Sequence, residues 1–215
     1  MIRKVILSVF VAASLPFCVE AQSQGLFSKK KIQTQKDISE YMHGAVPEVN
    51  GKVVFSQIIA SPGKNKTDLY NLIATWASLR YLPKSEKGDW KDKDYFKNYE
   101  YSEVRKGDIN NGIIECVGDE EIVFSKKTLS TDFSKINYLL TIKISDGSVE
   151  VKMDNIAYTY NVAEDVQRID AEDWITDKES FTKKGKFYRV NGKFRTKTID
   201  LKNQLFEEIK NAITK

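Results

Sequence analysis

The sequence predicts an α+β protein, an antiparallel sheet with two helices packed on one face, in the order β-α-β-β-β-β-α. Three observations support this prediction. A β-branched segment leads into a capped amphipathic stretch, alternating apolar residues flank a central Asp-Gly pair, and the last residues repeat apolar side chains at helical spacing. Because each of these segments has one apolar face, helices stacked on one side of a sheet would bury them together.

The first strand and the first helix have clear boundaries. Residues 51–60, GKVVFSQIIA, are rich in β-branched side chains and lie between glycine and proline, a pattern typical of a strand. Asn65 is placed to cap the following helix, with Asp68 three residues later, and Pro83 is expected to end it. The helix carries an apolar stripe, which we expect to face the sheet with Trp76 buried at its middle: Leu69, Leu72, Ile73, Trp76 and Leu79.

The middle of the chain predicts four strands. Residues 112–127 indicate two short strands around a Gly-Asp turn, and in 136–144, INYLLTIKI, alternate residues are apolar and share one face. Asp146-Gly147 predicts a two-residue hairpin turn. The apolar alternation of the return strand shifts after Met153, which predicts a bulge at Asp154–Asn155. Its inward residues are Val149, Val151 and Met153, then Ile156, Tyr158 and Tyr160.

Two less regular segments complete the domain, which we place at 46–215. Residues 84–111 are charged and aromatic without a clear period and are interpreted as an insert. Residues 161–199 are polar and loop-rich, with Asn191-Gly192 as a candidate hairpin turn. The chain closes with a helix whose apolar face is formed by Leu201, Leu205, Phe206, Ile209 and Ile213.

The first residues predict export. A basic start, MIRK, precedes an apolar run, and Val19-Glu20-Ala21 offers a cleavage site, so residues 1–21 are interpreted as a signal peptide and the protein as periplasmic or secreted. Pro16 breaks the run, and a membrane-spanning helix needs about 20 apolar residues, so no integral span is expected. Phe17 before Cys18 disfavours a lipid anchor. Residues 22–45 are interpreted as a polar tether with a short helix near 36–42.

Composition limits the classes of partner. Without residues 1–21, which contain Arg3, Lys4 and Glu20, the 34 basic and 30 acidic side chains become 32 and 29. Acidic and basic residues alternate along the chain, so we expect no concentrated basic face and no nucleic-acid partner. One cysteine, Cys116, remains after cleavage. The fold is therefore expected to be held by its core, without an intramolecular disulfide.

The candidate catalytic motifs are incomplete. Gly63-Lys64 suggests a phosphate-binding loop, but Ile58 stands where its first glycine is needed and Asn65 where the hydroxyl is needed. A zinc site needs three or four ligands, and His43 with Cys116 cannot supply them. We expect Cys116 to be a core residue and His43 to be solvated. The sequence thus predicts no catalytic residue, no cofactor and no metal.

Carboxylate clusters at 118–121, 163–165 and 170–173 are the remaining candidates for catalysis. Tight turns are rich in Asp and Gly, so solvated turns are the first interpretation. Paired carboxylates also hydrolyse glycosides. A carboxylate-dependent hydrolase acting on glycans or other envelope polymers is therefore the alternative to a non-enzymatic protein.

A partner-binding face is predicted on the central hairpin, opposite the helices. Thr141, Lys143, Glu150 and Lys152 alternate with the inward apolar residues and share that face. Aromatic residues of the insert, Tyr95, Tyr99 and Tyr101, are expected to border it. A polar sheet face can also simply stand in water. The partner, if the face binds one, is an unknown protein, peptide or glycan of the envelope.

Three strings carry a resemblance to a known family: VPEVNGKVVFSQII, TDLYNLIATWAS and LLTIKISDGSVEVKMDNIAY. They resemble domain-of-unknown-function family 4468, found in exported proteins of Bacteroidetes and described as having a fold like the TATA-binding protein (TBP). The resemblance covers roughly 46–160 and, more loosely, the final helix. It implies a secreted or periplasmic protein with a curved sheet and two helices, and it brings no known ligand. DNA binding is not implied, because fold is not function. The sequence as a whole favours a non-catalytic binding or envelope-assembly module.

Overall fold

A computed structural model of the chain describes residues 38–81, 102–127, 130–162 and 165–214, all of which belong to one compact unit, Asp37–Lys215. The strands are β1 (Glu48–Val49), β2 (Lys52–Val53), β3 (Phe55–Ala60), β4 (Glu103–Asp108), β5 (Ile113–Lys127), β6 (Ser130–Ser145), β7 (Ser148–Val162) and β8 (Asp165–Asp170). The helices are α1 (Lys66–Arg80), α2 (Asp177–Ser180) and α3 (Asn191–Thr214), with 3₁₀ turns at Ile38–Tyr41 and Ala171–Asp173.

The main antiparallel sheet has five strands in the order β3-β7-β6-β5-β4, and a sixth strand, β8, pairs with β7 outside this order. The long strand β7 has two neighbours on its outer side: β3 pairs with its first half, from Ala60↔Ser148 to Phe55↔Met153, and β8 pairs with 157–162 of its second half. Strands β1 and β2 form a separate small hairpin. The mixed α+β class with an antiparallel curved sheet is confirmed.

Among the described residues, the element order differs from the prediction in two respects: five strands rather than four lie between α1 and α3, and the short strands β1 and β2 precede β3. Strand β4 falls in the predicted insert 84–111, and β8 falls in the predicted loop-rich segment 161–199. Both are short and polar, and their sequences show no strong apolar alternation. They pair with the edges that the long strands β5 and β7 provide, which local sequence cannot reveal.

The predicted turn at 118–121 is wrong, because β5 continues through it as one strand. Gly118 pairs with Tyr138 across the sheet. A Cβ at Gly118 would lie 2.1 Å from the Cζ of Tyr138, so this glycine makes room for an aromatic ring. A glycine inside a strand often marks such a close approach.

The central hairpin and its bulge are confirmed. Ser145 pairs with Ser148 around the two-residue turn, and Gly147 takes the positive φ of 72° that this turn needs. Farther along, Asn137 pairs with Ala157 but Leu139 pairs with Asp154, so β7 holds one extra residue. Asn155 lies in this extra segment with φ of 50°.

The start of α1 is built as predicted. The Asn65 side chain accepts a hydrogen bond from the Asp68 backbone N–H at 2.9 Å, the usual geometry of a helix cap. Asp146 in the central hairpin turn accepts a second one from the Lys66 N–H at 2.7 Å. The helix therefore begins where two loops supply acceptors for its first amides.

The buried face of α1 is narrower than the predicted stripe. Its buried residues are Leu69, Ile73 and Ala77, whereas Leu79 is 68% exposed. Trp76 is half-buried, and its indole N–H donates to the Glu208 carboxylate at 3.3 Å. The expectation that Trp76 is buried at the middle of the stripe is thus wrong: the small Ala77 faces the core, and the large ring fills the edge between α1 and α3.

The last helix begins nine residues before the predicted stretch at 200–213. Asn191-Gly192 is therefore its first turn and not a hairpin, so that prediction is wrong. Gly192 is buried against the Phe187 side chain, and a Cβ at this position would lie 2.9 Å from the Phe187 Cβ and 3.1 Å from the ring atom Cγ. The predicted apolar face of this helix is buried as expected. Its first half was missed because its inward residues include the hydrophilic Arg195 and Thr198.

Residues 38–45, assigned from sequence to the tether, are packed on the domain. Arg195 is fully buried and donates to the carbonyls of Tyr41 at 2.7 Å and Met42 at 2.6 Å. It also donates to the Ile175 carbonyl at 2.8 Å and lies 2.7 Å from the Asp177 carboxylate. These contacts, called the Arg195 clamp below, tie the start of the domain to α2 and α3. The earlier tether residues and the predicted signal peptide lie outside the described residues.

The core lies between one face of the sheet and the two long helices. All the inward residues predicted for β6 are buried: Ile136, Tyr138, Leu140, Ile142 and Ile144. Helix α1 packs on β6, α3 packs on β5 and β3, and the two helices contact each other. No helix in the described ranges is long and apolar enough to cross a membrane.

Candidate functional site

The described residues of the predicted partner face lie next to one another on the side of the sheet that faces away from α1 and α3. Thr141 pairs with Lys152, and Lys143 pairs with Glu150, on adjacent strands β6 and β7. The four described residues are therefore brought together as two neighbouring cross-strand pairs. Strict alternation along each strand places them opposite the buried set.

Charges on this face are balanced locally. The Lys143 ammonium lies 3.9 Å from the Glu150 carboxylate, and the Lys152 ammonium lies 2.8 Å from the Asp154 carboxylate. An exposed pair such as Lys143–Glu150 contributes about 0–1 kcal/mol. Each of the two lysines on this face therefore has a carboxylate partner.

Thr141 differs from the expectation of a solvated residue, since it is only 9% exposed. It lies in the central strand β6, between Glu115 on β5 and Lys152 on β7. The longer side chains of these neighbours flank the small hydroxyl on both sides. Thr141 therefore belongs to the floor of the face, and Lys143 and Glu150 to its surface.

An exposed apolar residue on the same face was missed. Ile58 on β3 pairs with Glu150 and is 73% exposed. The signal was available in the sequence, because Phe55 and Ile59 are inward and Ile58 has the opposite parity in the strand. A bare isoleucine beside charged pairs makes the face less polar than predicted.

Tyr95, Tyr99 and Tyr101 lie outside the described residues. Their proposed place beside the face stays a prediction.

The nucleophile candidate is a core residue, as predicted. Cys116 is fully buried, and burial raises the pKa of its thiol to about 12. A thiol is a good nucleophile only as the thiolate, so this environment is that of a structural cysteine. His43 is mostly exposed; its ring stacks on Phe181 at 3.9 Å between centroids and lies 3.6 Å from Asp177.

Glu120, predicted to lie in a solvated turn, instead belongs to an ion cluster between α1, β5 and α3. Arg80 donates to the Glu120 carboxylate at 2.7 Å and lies 3.3 Å from Glu208. The Tyr138 hydroxyl also donates to Glu120, and the Tyr81 hydroxyl lies 3.1 Å from the Tyr138 hydroxyl. The shared arginine cross-links the elements, so this carboxylate pair has the arrangement of a structural cluster.

Glu172, in the carboxylate cluster at 170–173, also serves the fold. Glu172 accepts a hydrogen bond from the Val53 N–H at 2.9 Å and lies 3.7 Å from the Lys52 ammonium. Two residues of the cluster at 163–165 lie outside the described residues. Within the described ranges, no group of three or more His, Cys, Asp or Glu side chains is arranged to hold a metal ion.

Comparisons with known proteins agree with the sequence resemblance. Residues 55–159 match the family model described as "Domain of unknown function (DUF4468) with TBP-like fold". The crystal structure of a DUF4468 family protein from Bacteroides ovatus is 34% identical, with a TM-score of 0.69 over 83% of this chain and 96% of that one. A TBP-like protein from Parabacteroides distasonis is 22% identical, with a TM-score of 0.61 over 79% and 97%, and supports the fold alone.

A search of curated proteins found no match. The family model and the Bacteroides ovatus structure together confirm the resemblance drawn from the three sequence strings. The chain belongs to the DUF4468 family.

Proposed function

We propose that this protein is an exported, non-catalytic module that binds a protein, peptide or glycan of the cell envelope, or helps to assemble it. One observation carries the proposal. The sheet buries one face under α1 and α3, and its other face presents paired charges and the exposed Ile58. Such a mixture of apolar and polar groups is typical of non-obligate interfaces.

The edge of the sheet adds to this proposal. Strand β3 pairs on one side with β7, and Ile58 projects from it beside Glu150. A partner lying across the face would cover Ile58 and contact Lys143 and Glu150. The apolar contact would lie on the edge strand with the charged contacts beside it, and such a mixture of apolar and polar groups is common in binding patches.

The hydrolase alternative has less support. A retaining or inverting glycosidase places two carboxyl groups on either side of an open substrate site. The Glu120 and Glu208 carboxylates instead share Arg80 at short distance, and Glu172 accepts from a backbone amide. These three carboxylates make contacts within the fold: Glu120 and Glu208 with Arg80, and Glu172 with the Val53 amide.

The binding proposal is tested by charge changes on the face. Lys143→Glu with Lys152→Glu reverses its cations, and we expect the double variant to lose any envelope partner that the wild-type protein recovers in a cross-linked pull-down. A matched control, Lys143→Glu with Glu150→Lys, keeps the net charge and the cross-strand attraction. Because Lys152 pairs with Asp154, unfolding curves must show that the first variant is folded. Equal recovery of the partner by all three proteins would remove the face as the binding site.

Export is tested separately. The proposed cleavage after Ala21 predicts a mature protein that begins at Gln22, which mass spectrometry of the exported protein measures directly. A product that keeps residues 1–21, or that carries an acylated Cys18, would contradict it.

A further inference from the structure

Positive charge is concentrated in one stretch of the chain. Residues 181–199 contain seven basic side chains and no acidic one, against a net charge of +4 for the whole protein. They are Lys183, Lys184, Lys186, Arg189, Lys193, Arg195 and Lys197. The expectation that acidic and basic residues alternate throughout is therefore wrong here, because a balanced total hid a local excess.

A surface pocket of about 340 Å³ lies within this stretch, where α3 begins beside strand β5. Three aromatic rings and three basic side chains contribute to its lining: Phe124, Phe187, Tyr188, Arg189, Lys193 and Lys197. Its size is at the lower end of the range for small-molecule sites. It lies on the helix side of the sheet, because Phe124 packs on Phe194 of α3 at 4.6 Å between ring centroids.

The shape of the pocket is set by packing. Phe187 stacks on Phe181 at 4.7 Å between centroids and rests directly on the α3 backbone at Gly192. Tyr188 follows it and is 48% exposed. One aromatic wall is thus fixed in place, and one ring stands at the mouth of the pocket.

The pocket is electropositive. Lys193 lies 2.7 Å from the Asp132 carboxylate and 5.6 Å from the centre of the Phe124 ring. Arg189 and Lys197 form no ion pair with any described residue, and no carboxylate is among the lining residues. Two cations that pair with no carboxylate in the described part of the chain therefore border a largely aromatic cavity.

We propose that this pocket binds a small organic anion built on a ring. The ring would stack on the aromatic lining, and its anionic group would contact Arg189 and Lys197, since charge-assisted hydrogen bonds to a guanidinium are the stronger kind. An acidic sugar and a nucleotide share this chemistry. The site is distinct from the sheet face to which the proposed function is assigned, so failure of either proposal leaves the other standing.

The first experiment measures how much the anionic group and the ring of the ligand each contribute to the affinity. Binding to the full chain is followed by titration calorimetry or NMR with glucuronic acid and glucose, with adenosine monophosphate and adenosine, and with inorganic phosphate alone. We expect at least one of the two ring-bearing anions to bind about tenfold more tightly than its neutral counterpart and than phosphate, the gain that about 1.4 kcal/mol supplies. Tighter binding of glucuronic acid would identify the ligand as an acidic sugar, and tighter binding of adenosine monophosphate would identify it as a nucleotide.

Three results would overturn the proposal: no binding of either ring-bearing anion, equal binding of the neutral counterparts, or equal binding of inorganic phosphate. The last would leave only non-specific attraction to the basic stretch.

Variants locate the site. The double variant Arg189→Gln with Lys197→Gln is expected to bind the ring-bearing anion about tenfold or more weakly than the wild-type protein, given the strength of hydrogen bonds to charged groups. Lys183→Gln with Lys184→Gln removes the same charge from an exposed turn outside the pocket, and screening should limit its effect to about twofold. Tyr188→Ala, at an exposed position, tests the ring contact.

Equal losses in the two double variants would contradict a defined site, and no loss in either would place binding elsewhere. Thermal unfolding of each variant checks that it is folded. Glutamine keeps a long polar side chain at each position, so the contacts of the side-chain stems are largely retained.

Discussion

At the scale of single residues, a buried polar side chain determines how nearby strands and helices pack. The Tyr138 ring occupies the space above Gly118, and its hydroxyl donates to Glu120 beside the hydroxyl of Tyr81. Burial raises the pKa of Tyr138 well above its ordinary value, so the hydroxyl stays a donor over the physiological range. A satisfied donor in a low-dielectric interior stabilises one arrangement of strands and helix.

Cys116 gives a prediction at the same scale. Burial raises the pKa of its thiol from 9.0 to about 12, so the thiol should not react with iodoacetamide at pH 8 until the protein unfolds. The pH dependence has a definite sign. Between about pH 9 and 12 the unfolded chain loses this proton while the folded chain keeps it, so this group's contribution to stability is present below pH 9 and falls as pH rises.

Mass spectrometry of alkylated protein, with and without denaturant, measures the reactivity. Labelling of Cys116 in the folded protein at the rate of the denatured one would contradict its burial.

At the scale of elements, packing decides which residues of an amphipathic segment are inside. Helix α1 buries Leu69, Ile73 and Ala77, because these positions lie three or four residues apart and meet the sheet. Leu79 points away from the sheet, and Trp76 bridges to α3 through Glu208. Residue type alone would rank the tryptophan and the leucine above the alanine as core residues.

Two substitutions on α1 test this orientation. Ile73→Ala removes a fully buried side chain and should lower the free energy of unfolding by about 2–5 kcal/mol. Leu79→Ala removes an aliphatic side chain of the same size from an exposed position, and its effect should stay within about 0.5 kcal/mol. Denaturant unfolding of the two variants measures both. Similar losses at the two positions would show that the helix has the rotation first inferred from sequence.

At the scale of the whole molecule, the Arg195 clamp joins residues that are far apart in the chain. Tyr41 and Val46 are 4% exposed, and the Tyr41 hydroxyl donates to Asp200 on α3 at 2.7 Å. Burial lowers the pKa of Arg195, and the ion pair with Asp177 opposes that shift. Residues 38–46 therefore provide two of the four acceptors of Arg195, whose charge is costly to bury without such partners.

Truncation tests this clamp. A chain of residues 37–215 and one of residues 47–215 differ by the clamped segment alone. We expect the shorter chain to be less stable by about 3 kcal/mol or more, since it loses the buried Tyr41 and Val46 side chains and Arg195 loses two of its four acceptors. In the shorter chain, Arg195→Met replaces the partly unsatisfied buried charge with an apolar side chain and should recover part of the loss.

Chemical unfolding of the three proteins measures these differences. Equal stability of the two chain lengths would mean that residues 37–46 act as a tether after all.

Local features of the fold could be predicted from sequence because their causes are local. The Asn65 cap, the Asp146-Gly147 turn and the bulge at Asn155 each depend on residues within a few positions of one another. The inward face of β6 also follows from alternation alone. The pairing of these segments into an antiparallel α+β fold followed from their apolar faces, and the family followed from three short strings.

What the tertiary structure decided involves partners distant in sequence. The role of Gly118 depends on a ring twenty residues away at Tyr138, and the burial of Arg195 in α3 depends on the carbonyls of Tyr41 and Met42. On the predicted face, Thr141 is buried by its neighbours on the adjacent strands, and the basic pocket forms where α3 begins beside β5. In each case a polar or small residue is placed by a contact that its neighbours in the chain do not encode. The physical reason is that burial of such a residue is favourable only after its distant partner is in place.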